Sequence, residues 1–329
     1  MVSFIIPTHN SREYVGKCID SIYNLTLNNI FEIIVIDDAS TDNTFDFIRK
    51  NYPGVKCFCA SERSGAAYAR NLGIVNSCGN ILVFIDADVW LDKECINELL
   101  AQMNRSMPDG RQAGGNYDME HPAPAVILYT VPYFPNGIPI FPIFAAKEYP
   151  VISAIFMMQR KALAKMDKYF DERYEIYNED LDFFLRCKIC GLTAKYVENA
   201  KAYHWLKDSK NAEFRYYMDL RNSIYAYLKF YKLGKSIVGF PSIKIILQNI
   251  GDFLWNKNAY SKLYFEPASG GFLKIWYKIN PRAKITQKTR FYIVYMIFKA
   301  FMWNVRRLRE IKEEHYYFRM FLSNLKLAN

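Results

Sequence analysis

Residues 81–88 read ILVFIDAD and residues 33–38 read IIVIDD, two unbroken apolar runs that each end on a pair of aspartates. Short runs of Ile, Val, Leu and Phe are too brief for helices and lack polar alternation, so they read as strands buried on both faces. Working outward, similar strands fall at 2–6 and 55–60, with amphipathic helical stretches at about 12–25, 43–50, 65–77 and 93–103. That alternation predicts an α/β fold with a Rossmann-like, mostly parallel sheet and helices on both faces. Ligands of such sheets bind in the crevice at the carboxyl ends of the strands. Asp37, Asp38, Asp86 and Asp88 all fall on that edge, whereas Asp42 and Asp92 read as caps of turns and helices.

Two aspartates one residue apart at a strand end suit Mg2+ or Mn2+, hard cations that take oxygen ligands and bridge to substrate phosphates. Asp88 would ligate directly, with Asp86 on metal or ribose. The run Asp86–Val89 also fits the aspartyl-phosphate motif of haloacid-dehalogenase-like phosphatases. That motif normally sits on the first strand, and here three βα units precede it.

Residues 104–150 break the rhythm, holding eight of the thirteen prolines with Gly110, Gly114, Gly115 and Gly137. Such a stretch is a functional loop region or irregular sheet. Beyond it the pattern predicts a strand at 151–158, an acidic turn at 167–180, a helix at about 179–190, a strand near 193–204, and helices to the end. The seven cysteines have no disulfide-framework spacing and read as reduced thiols. Cys187 and Cys190 lack the second pair that a structural zinc site needs. The chain opens directly into the apolar run Val2–Ile6 without a charged leader, so a cytosolic location is expected, with Asn24 and Asn104 unglycosylated.

Five segments, in order, now carry a resemblance: SFIIPTHNSREYVGKCIDSI from Ser3, EIIVIDDASTDNT from Glu32, SGAAYARNLGI from Ser64, ILVFIDADVW from Ile81 and FDERYEIYNEDLDFFLRCKICG from Phe170. Together, over roughly residues 2–225, they resemble family 2 glycosyltransferases of the GT-A fold, in particular bacterial and archaeal polysaccharide or glycolipid transferases. The resemblance implies that Pro7, Thr8, His9 and Asn10 line the base and ribose pocket with Asp37. It implies that Asp38 accepts from a uracil- or thymine-like imide N–H, and that Gly65, Arg70, Asp86, Ala87 and Asp88 complete the donor site. His9 stands where the family often has an aromatic. By themselves Glu179 and Asp180 read as acids complementing a helix N-terminus; the resemblance makes Asp180 the general base, with Glu179 beside it. By itself His204 reads as a core histidine; the resemblance makes it a metal ligand with Asp86 and Asp88.

The formal charge of +10 is uneven, since residues 1–214 hold 22 Lys and Arg against 27 Asp and Glu and residues 215–329 hold 21 against 6. The expected division is therefore a GT-A catalytic domain at 1–214, with a nucleotide-sugar-binding half (1–103) and an acceptor and catalytic half (104–214), followed by a basic, aromatic helical extension at 215–329. Its longest apolar stretch, Phe291–Val305, spans 15 residues and includes Lys299. At ~1.5 Å per residue it reaches only about 22 Å, short of the ~30 Å hydrocarbon core. It is expected to lie in the interface of an anionic membrane, with Trp303 in the aromatic belt and Arg306, Arg307, Arg309 and Lys312 on lipid headgroups. A homodimer face is the alternative. Nucleic acid is not an expected partner, because no recognition motif accompanies the charge.

The functional expectation is an inverting, metal-dependent transfer from a UDP- or TDP-type sugar nucleotide to a hydroxyl of a glycan or lipid-linked saccharide, peripheral on the inner face of the cell membrane. The alternatives are a polyprenyl-phosphate sugar synthase and, outside enzymes, a basic membrane- or nucleic-acid-binding protein on an inactive transferase scaffold.

Overall fold

The computed structural model describes residues 1–105, 126–130, 133, 154–166, 168–205, 212–230 and 288–327. Most of the proline-rich stretch and residues 231–287 lie outside the described residues. The chain divides into two compact units, Met1–Lys207 and Asp208–Asn329.

The first unit is built on strands β1 (Val2–Thr8), β2 (Phe31–Asp37), β3 (Lys56–Cys59) and β4 (Ile81–Ile85), with helices α1 (Val15–Tyr23), α2 (Thr44–Asn51) and α3 (Ala66–Val75) between them. Among the described residues the main sheet runs β3-β2-β1-β4-β7-β6-β8, where β6 is Val126–Tyr129, β7 Ile155–Gln159 and β8 Thr193–Tyr196. The pairs β3–β2, β2–β1, β1–β4 and β6–β8 are parallel, whereas β7 is antiparallel to both its neighbours. This is the expected mostly parallel α/β sheet. Alternation along the strands divides the core: Val2, Phe4 and Ile6 pack with Val35, Val83 and the buried faces of α1 and α4 (Cys95–Arg105). Ile34 and Ile36 point the other way, onto Ala69 and Leu72 of α3.

Three local expectations are corrected. The apolar-aromatic stretch near 193–204 is two strands, because β8 pairs with β6 in the main sheet while β9 (Ala202–His204) pairs with a short strand β5 (Val89–Leu91). The strand expected from 151 is described from Ile155 and continues as a 3-10 helix at Arg160–Lys165. The helix expected at 12–25 begins later, at Val15.

In the second unit α6 (Ala212–Phe230), α7 (Lys288–Arg306) and α8 (Leu308–Leu327) form the described part. No helix among the described residues is long and apolar enough to cross a membrane. Trp303, expected in the aromatic belt, is half-buried and has contacts within this unit: the Tyr225 ring meets it edge-on at 5.6 Å, and the Arg221 and Arg307 guanidinium carbons lie 4.4 and 4.0 Å from its centroid. The buried Arg221 also donates from Nε to Asn222 Oδ1 at 2.8 Å, and a guanidinium withdrawn from water gains from an aromatic face. Outward-facing apolar side chains on α7 are Tyr295, Phe298 and Phe301.

Candidate active site

The parallel strands bring three loops to one edge of the sheet: Thr8–Asn10 after β1, Asp37–Thr41 after β2 and Asp86–Asp88 after β4. The first two are tied together. The Asn10 amide donates to Ser40 Oγ at 2.8 Å, the Thr41 amide to Asn10 Oδ1 at 2.8 Å, and His9 Nδ1 lies 2.7 Å from the Asp38 carbonyl. Pro7 pairs with Ile36 and Thr8 with Asp37 in the β1–β2 register. Asp37 is fully buried; its Oδ1 accepts from the Ser40 amide at 2.7 Å, while Oδ2 and the neighbouring Thr8 Oγ1 have no hydrogen-bond partner. Burial pushes the Asp37 carboxyl above its ordinary pKa, partly offset by the Ser40 hydrogen bonds.

Asp38 grips the next loop, with Oδ1 accepting from the Ser64 amide at 2.7 Å and Oδ2 from the Gly65 amide at 2.8 Å. A base imide would therefore add a second donor to an oxygen that already holds an amide. Gly65, at φ +96°, is the residue before α3, and a Cβ there would run into the backbone of Glu175. That contact ties the donor edge to the acidic segment, as does the Ala67 amide donating to the Glu175 carbonyl at 3.4 Å.

Segment Glu175–Asn178 is itself strained, with φ of +59° at Glu175, +68° at Tyr177 and +65° at Asn178. It delivers helix α5 (Glu179–Ile189), whose first turn carries Glu179, Asp180 and Asp182. Arg70, only 3% exposed on α3, reaches Glu179 Oε1 with Nη1 at 2.6 Å and Asp86 Oδ1 with Nη2 at 3.0 Å. One guanidinium thus joins the strand-end aspartates to the acidic helix. Its terminal nitrogens are engaged by carboxylates within the protein. Burial pushes the Glu179 carboxyl upward, against the pull of Arg70 and with the help of Asp180's charge. Desolvation likewise raises Asp86 to about 6, with Arg70 pulling down and Asp88, then Asp180, adding to the rise or opposing that pull by like charge.

Asp86, Asp88 and His204 offer one ligand atom each within 4.8 Å of one another. His204 Nε2 lies 3.4 Å from Asp88 Oδ1, while Nδ1 is buried without a hydrogen-bond partner. The two carboxylates suit Mg2+ or Mn2+ by donor type, and the imidazole nitrogen is better matched to Mn2+, since Mg2+ takes oxygen ligands. Ala87 is buried in the core between the two aspartates. Asp180 Oδ1 accepts from the Leu181 amide at 2.7 Å, and its charge acts on both Arg70 and Asp86.

Sequence reasoning named the strand-end aspartates, Arg70, Glu179, Asp180 and His204, but not the supporting Ser40, Ser64, Glu175 and Asp182, nor an aromatic row beside them: Tyr14, Trp90, Tyr203 and Trp205, with Lys17. The neighbouring pairs Val89-Trp90 and His204-Trp205 were the available signal.

A groove of about 910 Å³ is lined by Asn71, Arg160, Lys168, Phe170 and Arg173 among others; it includes none of the clustered acids, though the Phe170 ring lies 5.5 Å from the Arg70 guanidinium carbon. Arg160 spends its donors there on the carbonyls of Gly79, Ile74 and Ser77.

Residues 3–166 match the family model described as glycosyl transferase family 2. Glycosyltransferase GlyA of Streptococcus pneumoniae is 34% identical over 119 residues, 35% of this chain and 16% of that protein. The chain spans less than half the length of the first curated relatives it matches. Among solved structures, S. aureus TarS in complex with UDP-GlcNAc aligns with a TM-score of 0.55 at 18% identity, over 80% of this chain and 76% of that one. Mannosyltransferase PcManGT from Pyrobaculum calidifontis, in complex with GDP-Man and Mn2+, aligns with a TM-score of 0.53 at 15% identity, over 100% and 86%. At these identities the likeness is one of fold, the GT-A architecture expected above. Residues 3–166 therefore carry a glycosyl transferase family 2 domain.

Proposed function

We propose that the chain is an inverting, metal-dependent glycosyltransferase that moves a sugar from a nucleotide diphosphate donor to a hydroxyl of a glycan or lipid-linked saccharide. The observation that carries this reading is the Arg70 bridge between Asp86 and Glu179, because it joins two separate acidic motifs in one site. Displacement at an anomeric carbon needs charge neutralised on the leaving side and a base on the opposite side. Asp86, Asp88 and His204 would hold Mg2+ or Mn2+, which when bound neutralises the departing diphosphate. Asp180 accepts the proton of the acceptor hydroxyl. Glu179 is committed to Arg70, and so serves to position Arg70 and Asp86.

Thr8–Asn10, Asp37, Asp38 and the loop at Gly65 form the base and ribose side. A UDP- or TDP-type donor is favoured by Asp38 as an imide acceptor, and TarS in its complex holds UDP-GlcNAc. The mannosyltransferase complex, with GDP-Man and Mn2+, supports the use of a divalent ion. The second unit works at an anionic membrane surface, on the inner face of the cell membrane. Outward-facing Tyr295, Phe298 and Phe301 beside exposed Lys299, Arg306, Arg309 and Lys312 support this.

The test is turnover of sugar nucleotides with and without Mn2+. Asp88→Ala is expected to lose metal-dependent donor binding with the fold intact, and Asp180→Asn to keep donor affinity but lower transfer by about a hundredfold or more. Equal Mn2+-dependent donor affinity in wild type and Asp88→Ala removes the metal assignment. Asp180→Asn turnover within a few-fold of wild type removes the base.

A further inference from the structure

The β5–β9 ribbon pairs Val89 with His204 and Trp90 with Tyr203. Side chains alternate along a strand, so Trp90 and Tyr203 share one face, and Trp205 follows two residues on. The rings form a row: Trp90 stacks on Tyr203 at 5.7 Å, Trp205 lies 6.4 Å from Trp90, and Tyr14 of the loop before α1 lies 6.2 Å from Trp205. A row that only packed α1 onto the ribbon would close over itself. Trp205 instead remains 44% exposed, a large indole face open beside a cluster of acids.

The row is joined to the catalytic cluster through the backbone. The Trp205 amide donates to the Asp88 carbonyl at 2.8 Å, and the preceding residue is His204. A ligand on Trp205 would thus lie close to Asp88. Sugar rings present C–H faces and hydroxyl edges, so an indole bordered by polar groups suits a pyranose, the apolar face stacking while the edge is hydrogen-bonded.

Charge narrows the choice. Lys17 Nζ lies 3.7 Å from the Trp90 centroid and 6.0 Å from that of Trp205. Its side chain is exposed, and an ammonium resting on an indole keeps N–H donors for an anion. The neighbouring cluster holds Asp86, Asp88, Glu179 and Asp180 against Arg70, so an acidic sugar approaching it needs a cation at the rim.

We propose that Trp205, with Trp90, Tyr203 and Tyr14, is the acceptor subsite, and that Lys17 fits it to a pyranose bearing a negative charge. The proposal rests on the transferase reading above.

The probes are methyl β-glucuronide and methyl β-glucoside, the same ring with and without a carboxylate, titrated by saturation-transfer NMR. Wild type is expected to bind the glucuronide about fivefold more tightly. Trp205→Ala should weaken both glycosides by about tenfold, with Trp205→Tyr restoring most of the loss. Lys17→Gln should remove the preference and leave the glucoside unchanged. UDP with Mn2+ is titrated against each protein alongside. Retained UDP binding with glycoside affinities that Trp205→Ala does not change, or with no glucuronide preference in wild type, overturns the subsite alone. A wild-type protein that fails to bind UDP with Mn2+ overturns the transferase reading and the subsite with it.

Discussion

Glu32 shows how much one partly buried carboxylate organises outside the site. Ser3 Oγ donates to its Oε1 at 2.6 Å, the Cys78 amide at 2.6 Å and the Gly79 amide at 3.2 Å, while Lys56 Nζ reaches Oε2 at 2.7 Å. β1, β2, β3 and the turn before β4 therefore meet on one side chain. Burial alone would raise its pKa, yet Lys56, Ser3 and the Cys78 amide together lower it to about 2. A depressed carboxylate adds stability above its unfolded pKa and loses it as pH falls through the folded value. We expect Glu32→Gln to cost about 2 kcal/mol at pH 7, discounted because Lys56 is half-exposed. The difference from wild type should shrink between about pH 4.5 and pH 2, as read by denaturant unfolding across that range. A difference independent of pH would mean that packing, not charge, is what Glu32 supplies.

At the scale of elements, α3 is the part on which the site hangs, because it carries Arg70 and is seated by two glycines. A Cβ at Gly73 would overlap a methyl of fully buried Ile5 on β1, and one at Gly65 would overlap the Glu175 backbone. Alanine in a helix normally gains up to ~1 kcal/mol over glycine. Overpacking a core costs about 1–3 kcal/mol, so Gly73→Ala is expected to be net destabilising by about 1 kcal/mol in thermal or denaturant melts. Gly65→Ala adds a positive φ of +96° to the backbone clash. It should destabilise by about 2 kcal/mol or more, and should lower donor affinity at a temperature where the protein remains folded. A Gly65→Ala protein with wild-type melting and donor affinity would show that α3 and the acidic segment are not held by this contact.

For the whole molecule, the uneven charge predicts that an anionic surface is met through the second unit. The second unit combines exposed aromatics on α7 with a basic surface, and interfacial binding gains roughly 1 kcal/mol for each Lys or Arg near anionic lipid. The intact chain is expected to sediment with anionic liposomes, and high salt should weaken this only in part, because apolar insertion is insensitive to screening. Replacing Phe298 and Phe301 with Ser should leave binding that salt abolishes. Nucleic-acid binding would differ by falling steeply with salt as counterions are released. An intact protein that ignores anionic liposomes but dimerises tightly would defeat the membrane role.

What the sequence determined by itself is what local pattern can encode: the buried strands, the helices between them, and the aspartates after β2 and β4, whose position on the ligand edge follows from parallel topology. Family motifs extended this to the acidic helix and His204. What only the tertiary structure decided lies in pairings across long stretches of chain, which leave no periodicity to read. Arg70 meets Glu179 across 109 residues. The stretch at 193–204 divides between two sheets because its halves find different partners, β6 and β5. Trp303 meets Arg221 and Tyr225 of another helix, 82 and 78 residues earlier in the chain, a contact no local pattern announces. Trp205 acquires a meaning only beside Asp88, since an exposed indole is a surface accident until its neighbours are known.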